Sequence, residues 1–317
     1  MGNSTTLIKN YQNGNCNVNI YDDGTRSIEW PKGELKSPVL PFNMDIKITN
    51  FCDSTAGCML HCHEKSNPSG QHSDLEKALD TLSDYPKGAE LALGGGATQS
   101  HPDLRNFLIE LKNKEIIANL TVNQFHFEPR YYDLLNGFIN DGLIRGIGCS
   151  VTNENFDNIK PVLENSASHL VFHLIIGVHS IEIVESILNK FGKARILLLG
   201  YKQFGNGVNY YSKRQKAIDD NIYKWYTQIY KLFKKSGLTL SFDNLAIDQL
   251  NVKRLLREDD WNLFYQGQDE GLESGSMYID LVKGEYSHSS RHPSRYEVGN
   301  LKVKEMFANL KANYETI

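Results

Sequence analysis

The 317-residue chain contains no run of eighteen apolar residues, so no membrane-spanning helix is expected. Its first residues, "MGNSTTLIKNYQNGNCN", are polar and lack the apolar core of a secretory signal. Basic charge is not in excess. Against 38 Asp and Glu stand 34 Lys and Arg, and the net −4 argues against a protein built around a long nucleic-acid track. The local basic clusters "YKLFKK" (230–235) and "KRLLR" (253–257) read as solvated helix faces. Cysteine is scarce and odd in number, five in all. Without an export signal, that count points to a reducing, cytoplasmic compartment, where clustered thiols bind metal more often than they pair. No Gly-Lys-Ser/Thr follows the glycine run at 94–96 and no G-x-G-x-x-G spacing occurs, which excludes the usual phosphate loops. No internal repeat or low-complexity linker interrupts the chain.

What is present is an alternation. Residues 1–43 form a small β element, in which "NVNIYDDGTRSIEWP" holds two extended runs around Asp23-Gly24, a hairpin signal. Beyond Pro38 and Pro41 come apolar runs that read as buried strands: 44–50, 89–96, 116–123, 144–151, 169–177, 194–200 and, more weakly, 238–242. Helical periodicity fills the gaps between them. Ser73 with Glu76 three residues on reads as a capping box, and Pro102 as a first helical position. Strands and helices alternating in this way give an α/β fold with a parallel sheet and right-handed crossovers. A complete or partial (β/α) barrel and an open doubly wound sheet both satisfy the count. In either, the functional rim lies at the C-terminal ends of the strands. That divides the chain into an N-terminal β-hairpin element (1–43), a β/α unit (44–245) and a C-terminal cap (246–317). The cap contains a helix near 244–256, the aromatic extended pieces "WNLFYQG" and "SMYIDLVKGEY", and the stretch "SHSSRHPSR".

Three of the five cysteines, Cys52, Cys58 and Cys62, crowd the end of the first of these strands, with His61 and His63 around the last. Three chemistries suit them: zinc with a histidine as fourth ligand, a disulfide, or three irons of an iron–sulfur cluster. Structural zinc usually shows two separated ligand pairs, and no second pair follows here. Cys16 and Cys149 stand alone, Cys149 as a small buried residue. A glycine run, Gly94-Gly95-Gly96, ends the second strand. It either approaches a ligand closely or makes a tight strand-to-helix turn.

"ITNFCDSTAGCMLHC" followed by "LALGGGATQSHPDL", within this βα count, resembles the radical S-adenosylmethionine (SAM) superfamily over roughly residues 44–245. The spacing departs from that family's usual C-x3-C-x2-C, being C-x5-C-x3-C here. The position before the last cysteine, commonly aromatic, is His61. The glutamate that often ends the glycine motif is missing from "GGGATQS", so backbone carbonyls would take its role.

The resemblance implies a partial (β/α) barrel of the radical SAM type, with the N-terminal β element and C-terminal cap added. It implies a 4Fe-4S cluster on Cys52, Cys58 and Cys62, with one iron open to the amino and carboxylate groups of S-adenosylmethionine. Reduction by an external one-electron donor of flavodoxin or ferredoxin type would split that cofactor to a 5′-deoxyadenosyl radical, which abstracts hydrogen from an unidentified substrate: peptide or protein, nucleotide, or small metabolite. Cofactor contacts fall on Gly94, Gly95 and Gly96, on Asn123 and Ser150 at strand ends (or capping the next helices), and on Gly177 and the backbone around Tyr201 (or ordinary turns). His63, Glu64 and Lys202 are candidates for the substrate side. Tyr265 and Tyr278 either recognise substrate or plug the barrel. The alternative reading is a zinc-stabilised binding module without redox chemistry.

Overall fold

The computed structural model describes residues 6–22, 25–34, 36–54, 57–163, 170–265 and 275–314. Strands β1 (Leu7–Asn13), β2 (Cys16–Tyr21) and β3 (Arg26–Glu29) form a separate antiparallel sheet in that order. The β2–β3 pairing fits the expected hairpin, whose Asp23-Gly24 turn lies outside the described residues. Sequence pattern missed β1. Cys16, Val18 and Phe42 make a small core under this sheet, edged by Tyr11, Ile28 and Trp30. Buried Asn13 ties it down, its side-chain oxygen accepting from the Val39 and Leu40 amides and its amide donating to the Leu40 carbonyl.

The main sheet follows the alternation read from sequence. Its parallel strands are β4 (Asn43–Thr49), β5 (Glu90–Gly95), β6 (Ile117–Asn123), β7 (Gly146–Ser150), β8 (Leu170–Ile175), β9 (Ala194–Leu199) and β10 (Leu238–Phe242). They pair consecutively from β4 to β10. Helices α1 (Leu75–Thr81), α2 (Leu104–Asn113), α3 (Pro129–Asn140), α4 (Lys160–Leu163), α5 (Ile183–Phe191) and α6 (Gly207–Gln228) stand between them. Burial alternates strictly along β6, β7, β8 and β9. Ala118, Leu120, Val122, Ile147, Cys149, Phe172 and Leu198 face outward into the helix-covered core. The opposite set, including Asn119, Thr121, Ser150 and His173, lines a cavity shared with residues of β4, β5, β9 and β11. A flat sheet could not put residues of its distant strands around one cavity, so the sheet is curled. Among the described residues β10 pairs only with β9, which leaves the barrel partial.

The segment beyond residue 245 joins this sheet. After α7 (Asn244–Gln249) and α8 (Glu258–Phe264), β11 (Ser276–Asp280) pairs parallel with β4, and β12 (Glu285–Ser287) and β13 (Tyr296–Glu297) continue antiparallel before α9 (Val303–Tyr314). Four local expectations are corrected. "WNLFYQG" is helical in its described part, because Arg257 enters extended and Glu258, Asp259 and Asp260 fill a first turn that favours negative charge. Asp74, not Ser73, caps α1, accepting from the Glu76 and Lys77 amides, while Ser73 donates its hydroxyl to the Ile48 carbonyl. α2 starts at Leu104, so Pro102 lies outside it and Asp103 takes the cap position. Helix in the 153–166 stretch is confined, among the described residues, to α4.

Candidate active site

β4 ends at Thr49, whose hydroxyl oxygen accepts from the Phe51 amide and sits 2.8 Å from the His72 ring. From there the chain makes an excursion closed at its base by a bridge between Phe51 and Asn67 and by the Cys52 amide donating to the Asn67 carbonyl. All three clustered cysteines lie on it. Cys52 is nearly buried, while Cys58, in a 3-10 turn over Gly57–Leu60, and Cys62 are partly accessible. Next to Cys52, Asp53 is clamped by the His126 ring at 3.0 Å and Arg130 at 2.8 Å, which fixes that end of the loop on the β6–α3 connection. The other end is held by Asn206, just before α6. Its backbone amide donates to the Cys62 carbonyl and its side chain to the Met59 carbonyl. His61, predicted to take the family's aromatic place, packs edge-on against Tyr210 of α6.

The glycine run meets this loop directly. The Gly96 amide donates to the Thr49 carbonyl and the Ala97 amide to the Phe51 carbonyl. Gly95 has φ +128°, and a Cβ there would lie 2.2 Å from the Thr49 oxygen; at Gly96 it would lie 2.0 Å from the Phe51 oxygen and 3.2 Å from Cys52 Cβ. These two glycines are therefore required by backbone contact with the thiol loop. Gly94 differs: nothing stands within 4 Å of its missing side chain, and it borders the cavity.

Asn123 and Ser150 are register neighbours on β6 and β7. Asn123 does two things. Its oxygen caps the turn at Gln124–His126 by accepting from the Phe125 amide, and its side chain lies near enough to Cys58 to favour the thiolate. Ser150 lines the cavity. Gly177 and Tyr201 are placed elsewhere: a Cβ on Gly177 would strike Ile218 and Tyr201, so this glycine admits their packing. The Tyr201 hydroxyl donates to the Gly207 carbonyl, and its backbone amide and carbonyl both engage Gln249. Its polar groups are occupied within the protein.

Burial raises the Cys52 and Cys58 thiols above the ordinary range. Neighbouring thiolates add to this, Cys58 and Cys62 on Cys52, and Cys62 on Cys58, against relief from hydrogen bonds that include Asn123 on Cys58. The three sulfurs are thus close enough to feel one another's charge. Among the described residues, no three His, Cys, Asp or Glu side chains converge on a point one metal ion could occupy. A structural zinc requires four donors converging at about 2.0–2.3 Å. A four-iron cluster instead takes each thiolate on a different iron, so separated thiols on one loop are the donor set it requires. Three thiols on one loop are a donor set of the kind such a cluster takes.

Below the loop lies a cavity of about 470 Å³. One wall is a buried ion network that the sequence reading did not assemble. Lys47 of β4 contacts Glu64 at 2.8 Å and Asp280 of β11 at 3.1 Å, and both Tyr278 and His63 hydrogen-bond Glu64. Burial opposes ionisation of Glu64, but His63 and Lys47 outweigh it and hold the carboxyl far below its usual range. Burial, aided by Glu64 and Asp280, pushes the Tyr278 hydroxyl up. Tyr278 is 7% exposed and so belongs to the wall. Tyr265 stacks flat on Trp261 at 4.7 Å. Lys202 reaches across to Ser290, bringing "SHSSRHPSR" to the cavity's edge. His173 stands over Gly148, and enclosure pushes its ring down to about 4, so it is neutral near pH 7. Asp45, Lys47, Asn119 and His173 were not foreseen as cavity residues, nor Asp280 as the partner of Lys47. Their signal was polar side chains at every second position of otherwise apolar strands.

No protein-family model matches this chain, and no curated protein matches it. Solved structures do share its fold. Tagged anSMEcpe with bound AdoMet aligns at a TM-score of 0.55 and 12% identity, covering 86% of this chain and 82% of that one. SuiB of Streptococcus suis bound to S-adenosylmethionine gives 0.55 and 11%, over 87% and 68%. The same enzyme with its precursor peptide SuiA gives 0.54 and 11%, over 88% and 68%. These are radical SAM enzymes, and the partial barrel described above is their fold. No helix among the described residues is long and apolar enough to cross a membrane.

Proposed function

We propose that this chain is a radical S-adenosylmethionine enzyme. The observation that carries the proposal is the junction of the two motifs: Gly96 packs against Cys52, held by the Gly96 amide on the Thr49 carbonyl and the Ala97 amide on the Phe51 carbonyl, while Gly94 and Gly95 beside it line the barrel cavity. Cys52, Cys58 and Cys62 would hold a 4Fe-4S cluster, which supplies, when bound, the electron that splits S-adenosylmethionine into methionine and a hydrogen-abstracting 5′-deoxyadenosyl radical. The chain's own residues do the rest. Asn123 steadies Cys58, Asp53 and Asn206 pin the loop at its two ends, and Gly94 with Ser150 leaves room for the cofactor beside it. The Lys47–Glu64–Asp280 network makes a fixed wall that keeps side chains from collapsing into the cavity.

Peptide or protein is the favoured substrate class, since SuiB binds the precursor peptide SuiA and native anSMEcpe the Kp18Cys peptide. The single electron comes from an external flavodoxin- or ferredoxin-type donor, and the clustered reduced thiols suit the cytoplasm.

Anaerobic reconstitution tests the reading. About four irons per chain, broad absorption near roughly 400 nm and bleaching by dithionite are expected. Alanine at Cys52, Cys58 or Cys62 should each abolish loading. Cys16→Ala should not, because Cys16 is buried beneath the N-terminal sheet, donating to the Asn13 carbonyl. With dithionite and S-adenosylmethionine the loaded protein should release 5′-deoxyadenosine. A colourless protein with one tightly held zinc would overturn the proposal in favour of the binding-module reading.

A further inference from the structure

The floor of the cavity is one register layer of the sheet. Tyr278, Asp45, Ala92, Asn119 and Gly146 stand side by side on β11, β4, β5, β6 and β7. Small residues at the second and fourth strands from Asp45's own side, Ala92 and Gly146, leave open space around two polar side chains. Neither Asp45 nor Asn119 makes a hydrogen bond or ion pair with any described residue. Higher on the wall, Thr121, Ser150 and the enclosed ring of His173 are also without hydrogen-bond partners among the described residues, and all line the cavity. These side chains are open to the cavity, Asp45 the most exposed of them, and so are placed to meet a polar ligand.

Charge says which ligand. Lys47 is engaged by Glu64 and Asp280. Among the described residues that line the cavity, Lys202 is then the lysine left to face two carboxylates, Asp45 and Asp243, and it is hydrogen-bonded to Ser290. Asp243 spends one oxygen capping α7 and accepting from the Gly200 amide. Asp45 has no such role. The side chain is exposed to the cavity, yet desolvation by the surrounding walls raises its carboxyl above the ordinary value, Lys202 only partly offsetting this, and Asp243 and Glu64 raise it further. Two lysines, Lys47 and Lys202, thus face four carboxylates, Glu64, Asp280, Asp45 and Asp243, which leaves this part of the cavity short of positive charge. S-adenosylmethionine does not supply it: Asp45 lies four residues before Thr49, about 13 Å down the strand at 3.3 Å per residue, and the thiols lie beyond Thr49.

We propose that Asp45, with Asn119 across Ala92, is the binding site for a cationic group of the substrate, a primary ammonium or guanidinium that enters the cavity from its open end. This rests on the enzymatic reading above and names the chemistry its substrate carries. The group would donate to the Asp45 carboxylate and the Asn119 carbonyl oxygen. A charge-assisted pair on this cavity floor would discriminate against a neutral analogue.

Calorimetric titration of the isolated chain tests this without any cluster. The probes are Nα-acetyl-lysine methylamide, the free diamine cadaverine, and the uncharged Nα-acetyl-norleucine methylamide. An ammonium probe should bind at least tenfold more tightly than the norleucine probe, and Asp45→Asn should erase that preference. Preference for the lysine derivative over cadaverine assigns the group to a residue within a peptide, and the reverse assigns it to a free amine; either supports the site. S-adenosylmethionine affinity should be unchanged in Asp45→Asn. Equal binding of lysine and norleucine probes, no binding of any probe, or a preference that survives Asp45→Asn overturns the proposal. Should Asp45→Asn fold poorly, the lysine-to-norleucine ratio in the unaltered protein decides alone. Iron loading is measured separately, so failure of the cluster and failure of this site are told apart.

Discussion

At the scale of single residues, neighbouring positions with the same letter carry different duties. Gly94, Gly95 and Gly96 look alike in sequence, yet Gly95 combines φ +128° with a 2.2 Å approach to the Thr49 oxygen, and Gly94 faces open space. Gly95→Val should therefore destabilise the chain by about 3 kcal/mol or more, from strained backbone and overpacking together. Gly94→Val should melt near the unaltered protein while weakening S-adenosylmethionine binding at least tenfold. Thermal melts with calorimetry separate the two, and equal melting losses would sink the distinction. Asp45 gives a second residue-level prediction. Its carboxyl is raised above the ordinary value of 3.8, so the folded chain holds this proton more tightly than the unfolded one. Its effect is a destabilisation that is absent below about that pH and develops as pH rises through the folded value. Asp45→Asn should thus be more stable than the unaltered protein at pH 7 in urea denaturation, with the gap narrowing on acidification. A gap independent of pH would contradict an uncompensated carboxylate on the cavity floor.

At the scale of elements, β11 is the informative one. It pairs parallel with β4 although some 230 residues separate them in the chain, a distance on the order of the whole barrel. It brings Asp280 to Lys47 and the Tyr278 hydroxyl to Glu64. The segment is consequently part of what holds the thiol loop's base in place, beyond any part it has in selecting substrate. Ending the chain after residue 275 should leave β4 with an unpaired edge and Lys47 without one of its two carboxylates. Loss of a cooperative melt or aggregation on expression is expected. A soluble, cooperatively melting fragment would show that β11 is dispensable. The milder Tyr278→Phe keeps the ring and removes only the donor to Glu64, and should cost about 1–2 kcal/mol in denaturant titrations.

At the scale of the whole molecule, two hydrophobic cores of unequal size coexist. The larger lies between the barrel and its helices, with Leu93, Leu120, Cys149, Phe172 and Leu198 at its centre. The smaller consists of Cys16, Val18 and Phe42 under a three-stranded sheet with two free edges. Polar links join them, among them Lys9 to Glu115 and Arg145 to both Glu90 and the Tyr21 carbonyl. The Lys9 pair is exposed and contributes little, which leaves the half-buried Arg145 contacts as the main polar tie. Native-state hydrogen exchange should accordingly show β1–β3 opening at a lower free energy than β5–β9. Uniform protection across both sheets would mean that the N-terminal sheet folds as one unit with the barrel.

The sequence by itself determined what is periodic and local. Seven parallel strands were legible because each is a short apolar run bounded by helical pattern, and even the weak "LTLSF" proved to be β10 (Leu238–Phe242). The thiol trio and the glycine run were legible as motifs, because their chemistry depends on residue type and close spacing. Tertiary structure alone decided whatever joins distant segments. Spacing could not say that Gly95 and Gly96 are fixed by backbone contact with the thiol loop while Gly94 is free, or that Tyr201 is occupied by Gly207 and Gln249. Nor could it place β11 beside β4, since a parallel pair between chain ends leaves no local signature. The cavity was half legible: Asp45, Lys47, Asn119 and His173 interrupt apolar strands at alternate positions, which marks an inward polar face. Which of those groups neutralise one another and which, like Asp45, are left over depends on the curl of the sheet, because only that brings β11 and the thiol loop against β4.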